Sequence, residues 1–161
     1  MPHHTLQITQ PGDRELLITR AFDAPRHLVF DALIRPDQLK RWLTGPDGWV
    51  LVVCEIDLRA GGNYRCVWRD AEGVEMGMGG TYREIVRPER LVRTERFDQD
   101  WTGGETLCTA VLTECDSVTT LDTTVRYGTA QARDGALASG MERGIAQRYD
   151  RMEALLQEPA A

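Results

Sequence analysis

Residues 25–46 read PRHLVFDALIRPDQLKRWLTGP, and the prolines cut this stretch into two short helices. Pro25 starts a helix without loss, because a first-turn N–H has no intrahelical acceptor. Leu28, Val29, Ala32 and Leu33 then recur at helical spacing. Pro36 disfavours the α conformation at Arg35, so the first helix stops there after about nine residues. A second helix runs from Asp37 to Leu43 and ends at Gly45-Pro46. Helices this short do not hold alone in water. Phe30, Trp42 and Leu43 therefore need an apolar surface to cover, and the sequence on either side supplies one.

Before the two helices, Arg14 to Phe22 reads as a strand. After them come six more: Trp49 to Asp57, Asn63 to Asp70, Glu75 to Val86, Leu91 to Phe97, Glu105 to Glu114 and Ser117 to Tyr127. Gly61-Gly62, Glu72-Gly73, Pro88-Glu89, Gly103-Gly104 and Asp116 mark the turns. Connections this short predict antiparallel pairing of sequential strands. From Gln131 to Gln157 the period changes. Leu137, Met141, Ile145, Arg148, Met152 and Leu155 or Leu156 recur every three or four residues, the pattern of one long amphipathic helix. A seven-stranded antiparallel sheet with one apolar face must cover that face, and this helix is the long element available to do it. The expected architecture is α+β: a curved seven-stranded sheet wrapped around the C-terminal helix, with the two short helices closing one end.

The residues also resemble a family. The strings Val29-Phe30-x-Ala32-Leu33, Leu39-x-x-Trp42-Leu43-x-Gly45-Pro46, Asp57-x-Arg59-x-Gly61-Gly62-x-Tyr64 and Pro88-Glu89-Arg90-Leu91 occur in that order. Ala136 to Gly144 and Tyr149-Asp150-Arg151-Met152 close the series. Together they resemble the bacterial proteins related to the activator of the ninety-kilodalton heat-shock-protein ATPase, of the START-like, birch-pollen-allergen-like (SRPBCC) superfamily. The resemblance spans residues 14 to 157 and implies the helix-grip fold, with a cavity where helix and sheet do not interdigitate.

The 161 residues suffice for a single START-like domain, residues 1–161, whose core is expected at 14–157. Net charge is −6, and the 19 basic residues are scattered, which argues against nucleic acid and anionic membrane surfaces as partners. MPHHTLQITQ has neither a basic start nor an apolar run, and no stretch approaches the roughly 20 apolar residues of a membrane span. Cytoplasmic placement is expected. Cys54, Cys66, Cys108 and Cys115 follow no CxxC spacing and fall on strands, so reduced, buried thiols are expected. No metal and no cofactor are expected, because the histidines are only His3, His4 and His27, two of them in a terminus expected to fray.

Alternation points to the residues of the interior. Tyr64, Cys66 and Trp68 share one face of their strand, and Met76, Met78, Gly80 and Tyr82 share one face of the next. The methionines serve either an adaptable cavity or core filling. Arg93 and Glu95 share a face with Leu91 and Phe97. If that face is inward they pair or hold a polar ligand group, and in the other register they are solvated. Gly140 and Gly144 imply either close packing of the helix or a widened pocket. The expected ligand-binding residues are Tyr64, Trp68, Met76, Met78, Tyr82, Arg93, Glu95, Met141 and Arg148. Arg148 stands on an otherwise apolar helix face, so it needs either an anionic ligand group or an ion pair with Glu95 inside a filled core.

Three function classes stay open. A cavity of this kind binds a small hydrophobic or amphipathic molecule. The family resemblance implies a co-chaperone that interacts with a heat-shock ATPase, although the eukaryotic activator carries a further domain for which 161 residues leave no room. Polyketide cyclases of the superfamily imply a cyclase- or hydrolase-type enzyme; Glu95, Glu105 and Asp122 are strand carboxylates, and no catalytic residue is assigned among them. An exposed edge strand leaves a homodimer open.

Overall fold

The computed structural model describes residues 4–45, 47–99 and 104–159. His3 and the turn residues Pro46 and Gly103 lie outside them. The elements are β1 (Gln7–Thr9), β2 (Glu15–Phe22), α1 (Arg26–Ile34), α2 (Pro36–Trp42), β3 (Val50–Ile56), β4 (Asn63–Arg69), β5 (Glu75–Val86), β6 (Arg90–Phe97), β7 (Thr106–Cys115), β8 (Val118–Arg126), α3 (Ala130–Ala138) and α4 (Met141–Leu156). The antiparallel sheet runs β1-β2-β8-β7-β6-β5-β4-β3. Strands β3 to β8 form the expected meander, and β2 returns beside β8 along its whole length, from Glu15 opposite Arg126 to Phe22 opposite Thr119.

Arg35 separates the two short helices. It is at once the C-cap of α1 and the N-cap of α2, held extended at φ −93° and ψ 120°, as a residue before proline must be. Pro36 therefore opens α2, one residue earlier than the sequence pattern placed it. Val29, Phe30, Ala32 and Ile34 of α1 and Leu39 and Trp42 of α2 are buried, while Leu28 faces solvent.

Two expectations about the sheet and the last helix are corrected. The sheet has eight strands, because Gln7–Thr9 adds a short edge against Leu17–Thr19; three residues are too few for a period-2 pattern to register. The predicted 131–157 helix is two helices. Gly140 adopts a left-handed φ of 80°, and the chain turns there between α3 and α4. Gly140 and Gly144 both face open space, so neither marks close packing nor widens an interior pocket. Close approaches occur instead at glycines of the sheet: Gly80 of β5 lies against the Thr94 carbonyl, and Gly77 of the same strand lies under an ion pair. A Cβ there would strike the Arg65 guanidinium and the Asp98 carboxylate, which pair across the bare strand from β4 and from the end of β6.

The core has two parts. The larger gathers Phe22, α1, α2, Leu51, Tyr64, Trp68, Tyr82, Leu91, Leu112, Leu121 and Met152. The smaller joins Leu6, Leu16, Ile18, Cys108, Val125, Tyr127 and Ile145 beneath α3 and the start of α4. Tyr149 of α4 bridges them. Its ring lies edge-on to Phe22 at 5.5 Å and tilted against Trp42 at 6.0 Å. Trp42 donates its indole Nε1–H to the Ala32 carbonyl at 2.8 Å, so it ties α2 to α1 as well as to α4. Truncating such a side chain removes both packing and a buried hydrogen bond. Trp42→Ala should lose about 3–5 kcal/mol in denaturant unfolding; a loss under about 1 kcal/mol would show that this junction does not hold the fold.

Candidate functional site

The inner face of the sheet carries a charged cluster among apolar neighbours. On β6, Leu91 is buried and the next two inward positions are Arg93 and Glu95. Arg93 lies opposite Cys108 of β7 on one side and Tyr82 of β5 on the other. Its Nη1 donates to Glu95 Oε2 at 2.9 Å and to the Tyr64 hydroxyl at 2.8 Å. The Tyr64 hydroxyl in turn donates to the Thr94 carbonyl at 2.5 Å. The guanidinium lies 5.5 Å from the Tyr64 ring centre, and the Tyr64 and Tyr82 rings tilt against each other at 5.3 Å. Of the two registers open at these positions, the inward one with a mutual ion pair is observed.

Electrostatics marks this cluster as desolvated. Burial raises the Tyr64 pKa well above its usual value and pushes Tyr82 up to about 12 and Cys108 up to about 11. Burial opposes the Arg93 charge, but the neighbouring Tyr64, Cys108 and Glu95 outweigh it, and its pKa rises well above the ordinary value. Yet 28% of the Arg93 side-chain surface and 21% of that of Glu95 remain accessible. The pair therefore stands on the inner face of the sheet with part of its surface open to solvent.

Beside this cluster the inner face carries small residues. Ala110 and Cys108 of β7 stand on the inner face opposite Thr123 and Val125 of β8, and Gly80 occupies the corresponding place on β5. Above them, α4 presents the stripe Ile145, Arg148, Tyr149 and Met152, with Met152 fully buried. Tyr149 hydrogen-bonds Thr123, and burial raises its pKa. Arg148 feels Glu95 and Arg93 across the gap, and burial lowers its pKa. It forms no ion pair with Glu95, whose partner is Arg93.

The predicted site residues divide. Tyr64, Tyr82, Arg93 and Glu95 form one contiguous cluster, with Met78 buried beside them and Arg148 facing them from α4. Trp68 is buried at the other end of the sheet, where Nε1 donates to the Leu43 carbonyl at 2.8 Å, and Met76 packs there half-buried opposite it. Met141 belongs to the smaller core with Leu6 and Ile145, away from the tyrosines, because the break at Gly140 sets the start of α4 over β1 and β2. The reading of the sequence missed Tyr149 and the small residues of the inner face. Tyr149 was signalled by its spacing from Ile145 and Met152, and Ala110 by its alternation with Cys108 and Leu112.

Two surface grooves lie elsewhere. One of about 450 Å³ runs between the residues leading into β1 (His4 to Leu6), Arg20, Leu137 of α3 and α4, and one of about 220 Å³ lies beside Thr106 and Tyr127. Neither contains a predicted site residue. His4 is held rather than frayed: its Nε2 meets Asp23 Oδ1 at 2.8 Å, and Glu153 accepts from the Asp23 amide. Hydrogen bonding within this trio and from Gln157 to Glu153 accounts for its geometry without an ion.

The comparisons with known proteins agree with this architecture. The family described as Activator of Hsp90 ATPase homolog 1-like protein matches residues 23–157. The chain belongs to that family. A solved protein from Rhodobacter sphaeroides is 33% identical, covering 94% of this chain and 97% of its own, with a TM-score of 0.88. One from Chromobacterium violaceum is 27% identical over 90% and 99% of the two chains, with a TM-score of 0.74. One from Nitrosomonas europaea, 23% identical over 92% and 97%, shares the fold at a TM-score of 0.80. No functionally curated protein matches the chain. Among the described residues, no helix is long and apolar enough to cross a membrane.

Cysteine exposure corrects one expectation. Cys54, Cys66 and Cys108 are buried and free, whereas Cys115 is exposed at the end of β7, beyond the reach of the core. Cys54 and Cys66 face each other across β3 and β4, and hydrogen bonding to Cys54 together with burial holds Cys66 well above the usual thiol range. A chromogenic disulfide reagent should therefore titrate one thiol rapidly in the native protein and four after denaturation without reductant. A denatured count of two would reveal a disulfide and contradict the free-thiol geometry.

Proposed function

We propose that this protein binds a small hydrophobic or amphipathic molecule in a recess between the inner face of the sheet and α4. The observation that carries the reading is that Arg93 and Glu95 stand on the inner face with 28% and 21% of their side-chain surface accessible, beside the small residues Ala110, Cys108 and Thr123. A protein that needed only a stable core would fill this space, because voids and buried charges both cost stability. Tyr64, Tyr82, Met78 and Leu91 offer an apolar wall, and the charges offer a few placed polar groups, the usual make-up of a small-molecule site. Membership of the family supports the same reading, since its fold sets a curved sheet around a helix.

Titration with the neutral, environment-sensitive dye Nile red should give saturable binding with one dye per chain. Ala110→Phe places a ring in the recess and should abolish that binding while the domain keeps its circular dichroism spectrum and cooperative melting. Failure of the native protein to bind the dye, or unchanged binding by a folded Ala110→Phe variant, would contradict the proposal.

A further inference from the structure

The charges that face the recess do not cancel. Arg93 and Glu95 neutralise each other through a 2.9 Å ion pair. Tyr64, Tyr82 and Tyr149 and the Cys108 thiol are held neutral by burial. That leaves Arg148. Among the described residues it makes no hydrogen bond and no ion pair, although every other stripe position near it on α4 is apolar or aromatic: Ile145, Tyr149 and Met152. Its only favourable neighbour of opposite charge is Glu95, already engaged by Arg93, while Arg93 and Arg151 repel it. Its guanidinium is not sealed off, since no buried side-chain nitrogen or oxygen among the described residues lacks a partner. Arg148 is thus a half-buried cation without an ion-pair partner among the described residues, on the same helix face as Ile145 and Met152, and with Arg93 and Glu95 it leaves one net positive charge facing the sheet.

A carboxylate supplies what is missing. Two parallel N–H···O bonds to a guanidinium neutralise the charge and satisfy both ligand oxygens. Ile145 and Met152, which flank the arginine on the same face of α4, and the apolar residues beside Arg93 on the sheet, Leu91 and Tyr82, would then meet the body of the same molecule. From this arrangement we infer that the ligand is an amphiphilic monocarboxylate whose anionic end pairs with Arg148 and whose hydrocarbon or aromatic body lies over Ala110 and Thr123. The inference rests on the ligand-binding reading above and specifies its ligand class. It also explains why an arginine is kept where leucine would pack at no electrostatic cost.

The test separates the two levels. Decanoate, decanol and methyl decanoate displace bound Nile red in competition titrations of the native protein, Arg148→Met and Arg148→Lys. Decanoate should compete about tenfold better than decanol or the ester, the scale of one charge-assisted hydrogen bond. Arg148→Met should lose the preference for decanoate over decanol and the ester, whatever its own affinity for Nile red, and Arg148→Lys should keep part of it. Without ligand, Arg148→Met should melt at a higher temperature than the native protein, because it removes an uncompensated charge from a desolvated place. Dye binding without any preference for the carboxylate overturns the inference and leaves the recess standing, whereas absence of dye binding overturns both. A lower melting temperature for ligand-free Arg148→Met also overturns it, because the arginine would then hold the fold rather than a ligand.

Discussion

The junction of Phe22, Tyr149 and Trp42 is the contact on which the rest of the molecule depends. Three elements that cannot stand alone meet there: the end of the β2 strand, a seven-residue helix and the middle of α4. The sheet has an apolar face to cover, the short helices are below the length at which helices persist in water, and α4 has a narrow apolar stripe. Aromatic rings at this point bury a large area with little conformational entropy to lose. The Trp42 to Ala32 hydrogen bond then fixes α2 against α1, so the closed end of the molecule is set by a few side chains.

With the middle of α4 fixed in this way, the spacing between helix and sheet on either side is decided by the side chains in between. Large residues on the sheet would fill that space, but the inner positions of β7, β8 and β5 carry Ala110, Cys108, Thr123 and Gly80. The helix answers with Arg148 and Tyr149, whose polar tips need a partner or access to solvent. Aromatic packing therefore dominates at the Trp42 end, whereas small and charged residues dominate around Arg93 and Glu95, and the proposed binding site is assigned to that second part.

Much of this was legible in the sequence. Prolines at 25 and 36 delimited the two short helices, and glycines and turn residues set off the strands to within one or two residues, with β5 at its observed bounds. The inward faces of β4 and β5 followed from alternation. The misses have physical causes. A three-residue edge strand has no period, so β1 was invisible. The apolar pattern continues across Ser139 and Gly140, and one glycine in a helical pattern does not announce whether it will take a positive φ, so α3 and α4 read as one helix. That break moved Met141 away from the tyrosines. Pattern alone also left two registers for Arg93 and Glu95; the ion pair beside Tyr64 decides between them.

The central claim is that a small molecule binds between α4 and the small residues of the sheet's inner face. It is most directly tested by isotope-filtered NOE spectroscopy of ¹³C-labelled protein with unlabelled decanoate. The account predicts contacts from the decanoate chain to the methyl groups of Ala110, Thr123, Leu91 and Ile145. Contacts confined to Leu6, Leu137 and Ala146, which line the groove beside β1, would place the binding surface on the outside of the molecule and contradict it.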